Sequence, residues 1–196
     1  MKKITCFKTV LPRVIIICSI LFHVLSCSNQ DTKETKKING EYNQAKSENG
    51  EDDPDEQFLV YAAETNLEEI RLGQLAQQNG MLKEVKELGK MLEEDHTKLM
   101  NDLTKLADKR SIKLPSSPDD NTLNTYAKLS AKSGTVFDKK YCNFIISAHK
   151  DAITVFKRVS AESDDSDIRV WATETLTGLR KHLDDAVNCQ KRCDKM

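Results

Sequence analysis

The sequence predicts an all-α protein, an up-down-up-down bundle of four long helices with a short extra helix between the second and the third. Three observations predict it. Only 7 glycines and 4 prolines punctuate 196 residues, so little in the chain breaks helices. From Phe58 onward the apolar residues recur at steps of three and four, the spacing of one helix face. The turn signals are well separated, at Asn79-Gly80, Pro115 to Pro118, Ser133-Gly134 and Asp164 to Asp167, which leaves room for long helices between them.

The elements follow in order. Phe58, Ala62, Leu72, Leu75 and Ala76 form the inner stripe of a first helix that Asn79-Gly80 closes. Val85, Leu88, Leu92, His96, Leu99, Leu103 and Leu106 make the seam of a second. Pro115 and Pro118 stop it, and a short helix occupies Leu123 to Leu129. After Ser133-Gly134, Thr135 with Asp138 three residues later reads as the cap of a third long helix. Its inward residues are Phe137, Tyr141, Phe144, Ile145, Ala152, Phe156 and Val159, and it ends near Glu162. The acidic run Asp164, Asp165, Ser166, Asp167 caps a fourth, with Ile168, Trp171, Ala172, Leu176, Leu179, Leu183 and Val187 facing the core. Short first-to-second and third-to-fourth connections place both turns at one end of the expected bundle, residues 57–193.

The N-terminal residues read differently. A basic start precedes an apolar run from Val14 to Leu25 that is too short for a permanent bilayer span. Val24-Leu25-Ser26-Cys27 at its end resembles a lipobox, so residues 1–26 are expected to be a lipoprotein signal peptide and Cys27 the lipidated residue. Residues 27–56 are almost wholly polar and are expected to be a disordered tether. The acidic cluster Glu51, Asp52, Asp53, Asp55, Glu56 lacks the glycine and ligand spacing of a calcium loop and reads as a solvated lead-in to the first helix. The formal charge of -1 includes Lys2, Lys3, Lys8 and Arg13; without the signal segment 31 acidic residues face 26 basic ones, a net -5. A mildly acidic domain with interspersed charge gives no footprint for nucleic acid or for a basic membrane-binding face. The expected membrane contact is the lipid anchor, in a bacterial envelope, at the outer membrane facing the periplasm or the cell surface; the sequence specifies no protein partner.

One constellation carries chemistry. Counted from turns at a common end, His96 stands about fifteen residues from the first turn, and His149 and His182 about sixteen residues either side of a turn near Asp165. At about 1.5 Å per residue these heights agree within roughly one turn of 5.4 Å. Glu64, Glu68 and Glu69 of the first helix stand near the same height, and Glu93 makes a Glu-x-x-His pair with His96. Bundle-core metal sites are built this way, and imidazole with carboxylate suits iron, zinc, manganese or copper. The competing reading is a metal-free, hydrogen-bonded His/Glu layer that sets helix register. Leu179 stands where a second Glu-x-x-His pair would place its glutamate, which favours that competitor over a di-iron site.

Six cysteines occur. Cys6 and Cys18 fall in the signal segment and Cys27 takes lipid, which leaves Cys142, Cys189 and Cys193 in an oxidising compartment. Cys142 precedes His149 by the same interval as Cys189 follows His182, so the two are level if the histidines are, and a Cys142–Cys189 disulfide is expected. Cys193, one turn along, is the alternative partner.

The stretch Phe58 to about Val187 resembles the exported domain-of-unknown-function family 4142, whose members are labelled outer-membrane proteins and considered ferritin-like. The landmarks are Phe58 and Ala62-Ala63, Glu69 with Leu72-Gly73 and Leu75-Ala76, Asp95-His96, Leu114-Pro115, Gly134 with Phe137-Asp138 and Tyr141, His149, and Leu176 through Leu179 to His182. The resemblance implies a ferritin-like bundle, selects Glu69 among the three glutamates and supports His96, His149 and His182. The chain departs from the family pattern at Leu176-Thr177, where Leu-Pro is usual, and at Ala148, where an acidic residue usually precedes the third-helix histidine. The ligand set so expected is Glu69, His96, His149 and His182, supported by Glu64, Glu68, Glu93 or Asp95. The functional readings are an envelope lipoprotein that binds a transition metal or, alternatively, a metal-free structural or stress-related interaction module. An enzyme has the least support: no phosphate-cradling loop, nucleophile elbow or cysteine-histidine pair is visible.

Overall fold

Asp53 opens the first helix by accepting from the Asp55 N–H at 2.9 Å, while Pro54 takes the first turn and Asp55 and Glu56 place negative charge at the helix start. The computed structural model describes residues 53–196. The expected signal segment, Cys27 and nearly all of the expected tether lie outside the described residues. The helix nonetheless starts inside the stretch 27–56 assigned to that tether, because the acidic run expected to stay solvated supplies the cap.

Five helices and no strand occur among the described residues: α1 (Pro54–Asn79), α2 (Lys83–Asp108), α3 (Asp120–Ser130), α4 (Gly134–Glu162) and α5 (Ser166–Cys193). The four long ones pack as two hairpins, α1 on α2 and α4 on α5, joined by contacts of α2 with α5 and of α1 with α4; α3 lies against α1 and α4. The α1–α2 pair approaches tightly where glycines meet. A Cβ on Gly73 would stand 2.5 Å from the Gly89 carbonyl oxygen, and one on Gly89 would stand 2.7 Å from Ala76 Cβ. Side chains expected to be core, among them Leu99, Phe144, Trp171, Leu183 and Val187, are half-buried at its edge.

The course of the chain corrects one expectation. At one end of the molecule Arg110, just after α2, donates to Asp165 in the α4–α5 turn, Nε to Oδ2 at 2.7 Å. Ser163 in the same turn donates to Asp55 at the start of α1, 3.0 Å. At the other end the Met81 and Leu82 N–H groups of the α1–α2 turn donate to Asp138, one turn into α4, at 2.9 and 2.8 Å. The two hairpin turns therefore lie at opposite ends, and the helices run up-down-down-up rather than up-down-up-down. The reason is the connection from α2 to α4: with α3 inside it, it climbs the whole bundle instead of turning back at once.

Asp138 also departs from its expected role. Ser133 occupies the N-cap position of α4 without a side-chain hydrogen bond, and Leu82 at the start of α2 offers none either. The fully buried Asp138 carboxylate spans this gap, satisfying two N–H groups at the start of a different helix. Asp138→Ala leaves both donors without a partner, and chemical denaturation is expected to show a loss of about 2 to 3 kcal/mol.

The interior is two apolar clusters with a polar belt between them. Toward the α4–α5 turn, Phe58, Leu59, Leu103, Phe156, Ile168 and Leu176 pack together; toward the α1–α2 turn, Leu72, Val85, Leu92, Phe137, Ile145 and Ala186 do. Between them the inner stripe of every long helix turns polar, at Asn66 and Glu69 on α1, His96 on α2, His149 on α4 and His182 on α5, each no more than 4% exposed.

Candidate metal centre

The three histidines converge. Their ring centroids lie 5.3 to 5.7 Å apart, and one nitrogen from each stands within 4.8 Å of the other two. The count that anticipated this used turns at a common end, which the molecule does not have. It succeeded because the layer sits near mid-height, where the distance to either end of a helix is nearly the same.

Each ring has one nitrogen engaged by an oxygen. His149 Nδ1 lies 3.0 Å from the Ile145 carbonyl oxygen, His96 Nδ1 lies 2.8 Å from Asn66 Oδ1, and His182 Nε2 lies 3.2 Å from Asp95 Oδ2. These oxygens accept, so the nitrogens facing them carry the protons. A neutral imidazole then has one bare lone pair left, on His96 Nε2, His149 Nε2 and His182 Nδ1. His96 Nε2 is buried without a hydrogen-bond partner. His149 Nε2 and His182 Nδ1 face each other at 3.3 Å. Two nitrogens each about 2.0 to 2.1 Å from one tetrahedral ion would stand about 3.3 Å apart. Fixing the outer N–H of a ligating histidine on a carbonyl or carboxylate is also how metal sites orient their rings.

The electrostatics keep the rings neutral. Burial holds the His96 pKa well below its ordinary value, with His149 and His182 adding to the effect. Burial, then His182, takes His149 down to about 3. His182 is lowered by burial against the opposing pull of Asp95. Burial alone would raise the Asp95 carboxyl, but its hydrogen bonds to Lys98 and His182 outweigh this and keep it ionised below the usual range.

The carboxylates expected as ligands are placed otherwise. Glu69 is buried at the level of the histidines, yet its Oε1 lies 3.5 Å from Nδ1 of His149, the outward nitrogen, and it is not among the three donors that stand within mutual reach. Both of its oxygens lack a hydrogen-bond partner, and burial, then Glu68, raises its pKa well above the ordinary value. Glu69 thus stands on the outward side of His149. Glu93 turns away, accepting from Gln74 and Gln77 of α1 at 2.8 and 2.6 Å. Burial and then Asp119, the N-cap of α3, raise Glu64, and the same causes push Glu68 up to about 7. Of the expected supporting residues only Asp95 touches a histidine.

Glu68 yields a test of its own. A carboxyl raised on folding contributes stability that is full below pH 4.5 and is lost as pH rises through about 7. Glu68→Gln removes that loss. Because the side chain is partly exposed and solvent screens it, the variant is expected to be about 1 to 2 kcal/mol more stable than the parent at pH 8 and equal to it near pH 4, by urea denaturation at the two pH values.

The structure adds Asn66, the acceptor that fixes the His96 tautomer. Its signal was present: Ala62, Asn66 and Glu69 follow one another at steps of four and three, so a polar residue interrupts the inner stripe of α1. Cys142, Cys189 and Cys193 also come together, all buried and all free thiols. The expected Cys142–Cys189 bond is not formed, and the Cys142 and Cys193 sulfurs lie 3.9 Å apart.

A family model described as a domain of unknown function, DUF4142, matches residues 40–189. The chain belongs to the DUF4142 family. The match covers all three histidines, Asn66, Asp95 and two of the three clustered cysteines, and ends four residues before Cys193. No curated protein and no solved structure matches this DUF4142 chain. Among its described residues no helix is long and apolar enough to cross a membrane.

Proposed function

We propose that this DUF4142 protein is an envelope-anchored lipoprotein whose bundle binds one transition-metal ion through His96, His149 and His182. The observation that carries the reading is the facing of two bare ring nitrogens, His149 Nε2 and His182 Nδ1, at 3.3 Å. Two lone pairs repel at that distance unless a cation stands between them, and burial makes a proton a poor candidate. Three neutral imidazoles with no carboxylate among the converging donors suit zinc or copper(II) better than manganese, with iron between. The up-down-down-up course with one long crossover supports a ferritin-like reading of the fold. A single Glu-x-x-His pair, whose glutamate turns outward, supports one ion rather than two. Asn66, Asp95 and the Ile145 carbonyl hold the rings, and Glu69 stands on the outward side of His149. The N-terminal signal, Cys27 and the polar segment after it support a lipid anchor at the outer membrane.

Elemental analysis of the full chain, purified without chelator and reloaded with zinc, tests the site. One ion per chain is expected in the wild type and less than a tenth of that in His149→Ala; equal, sub-stoichiometric metal in both would end the proposal. Cys27→Ser is expected to move the protein from the membrane fraction to the soluble one.

The 3.3 Å contact also permits a second reading, a metal-free layer that serves structure or interaction in the envelope. It requires one ring to donate to the other, leaving a bare nitrogen either on His182 against the ionised Asp95 or on His149 against the Ile145 carbonyl oxygen. Stability indifferent to zinc and to chelator would favour it.

A further inference from the structure

A second cluster of donors lies about two turns from the histidines, in the cluster toward the α1–α2 turn. We propose that Cys142, Cys189 and Cys193 form a separate soft-metal site that binds one copper(I) ion in trigonal thiolate coordination. The three sulfurs lie within 4.8 Å of one another, with Cys142 and Cys193 at 3.9 Å, and the residues are 0 to 5% exposed. An ion in the plane of three sulfurs, about 2.3 Å from each, holds them about 4.0 Å apart. The Cys142–Cys193 spacing is therefore already that of a loaded site, with the Cys189 sulfur within 4.8 Å of both.

The number of donors selects the ion. Structural zinc asks for four ligands, and a zinc site with three protein ligands keeps an open position for water. Among the described residues no histidine or carboxylate joins the three cysteines, and Cys142 and Cys193 are fully buried, away from the bulk water that would fill a fourth position. Thiolate is the donor that soft copper(I) prefers, and three of them satisfy it. The histidine cluster, built of borderline donors, is unsuited to compete for it. The binding step displaces thiol protons to solvent and moves no electrons: copper stays monovalent and sulfur stays at the thiolate level.

The competing fate is a disulfide. Cys189 and Cys193 lie one turn apart on a single helix, where the bond is disfavoured by geometry, so it would join Cys142 to one of them and strand the third sulfur. A triangle of sulfurs fits a three-coordinate ion better than a bonded pair with one left over.

The test is an anaerobic titration of the reduced full-length protein with copper(I) against a chromophoric copper(I) chelator. One ion per chain is expected, with the ultraviolet charge-transfer absorption of copper thiolates, both in the wild type and in His96→Ala. Cys142→Ser and Cys189→Ser are expected to weaken binding at least a hundredfold while remaining helical by circular dichroism. Should those variants fail to fold, X-ray absorption of the copper-loaded wild type decides: three sulfur neighbours support the site, and nitrogen neighbours overturn it. Failure of the wild type with three titratable thiols to take copper(I), displacement of that copper by stoichiometric zinc(II), or a disulfide from Cys142 in protein isolated without reductant would each overturn it too. Loss of copper(I) in His96→Ala alone would assign the ion to the histidine layer. The two sites thus stand or fall separately.

Discussion

Taking the metal-free protein from pH 7 down to pH 3 is expected to cost it up to about 5 kcal/mol relative to His149→Gln, as measured by urea unfolding across that range. The value follows from the depression of His149 from its ordinary 6.5 to about 3. A histidine whose pKa falls on folding binds fewer protons in the folded state than in the unfolded chain. Its contribution is therefore complete above pH 6.5 and is lost as pH falls through about 3. His96 and His182 are lowered as well and steepen the same slope. The groups facing this layer from α1 pull the other way: Glu68 and Glu69 are raised, and their contribution shrinks as pH climbs from 4.5. Asp95, on α2, stays ionised over most of the range and favours a charged His182. Comparison with His149→Gln cancels these background slopes and isolates the imidazole. An acid limb of equal depth in both proteins would show that His149 titrates as it does in the unfolded chain.

Zinc at about a thousand times its dissociation constant is expected to stabilise the folded protein by about 4 kcal/mol, or about 10 °C in melting temperature for a domain of this size. The gain is mass action, because the unfolded chain presents no converged triad. His96→Ala and His182→Ala should each bring the zinc-dependent shift below about 1 °C. Asp95→Asn should keep part of it, since the amide still accepts from His182 Nε2 but no longer strengthens the ring as a donor. Differential scanning calorimetry with and without zinc, at pH 7.5 so that the rings are neutral, measures all four proteins. A shift that survives loss of His96 or His182 would place the bound ion elsewhere.

Much of this was legible in the sequence because it depends on period and punctuation. The steps of three and four in Val85 to Leu106 and in Phe137 to Val159 found two of the helices, and the acidic run at Asp164 to Asp167 contains the cap that Asp165 makes to the Asp167 and Ile168 N–H groups. The histidines stood out as polar residues on apolar stripes. What was not legible depends on pairing between helices. Nothing local distinguishes a connection that turns back from one that carries α3 up the bundle, so the spacing of the helices leaves the topology undetermined. Asp138 lies where a cap for its own helix is expected, and only the tertiary structure shows it serving α2. Glu93 shares a helix with His96, but a rotation of three residues carries it away from the belt and onto the glutamine amides of α1. Glu69 reaches the right height and the wrong nitrogen of His149, a distinction that spacing cannot express.

The polar belt fixes the axial alignment of the helices. Leucine against leucine looks much the same after a slide of one turn, and a core uniform along its length would leave that slide inexpensive. Here such a slide would press an imidazole against Ile145 or Leu92 and strip Asn66 or Asp95 of its donor on the neighbouring helix, at about 1 to 3 kcal/mol for each polar atom stranded. The equator of this molecule is thus a key that admits a single vertical setting, whether or not an ion is turning in it.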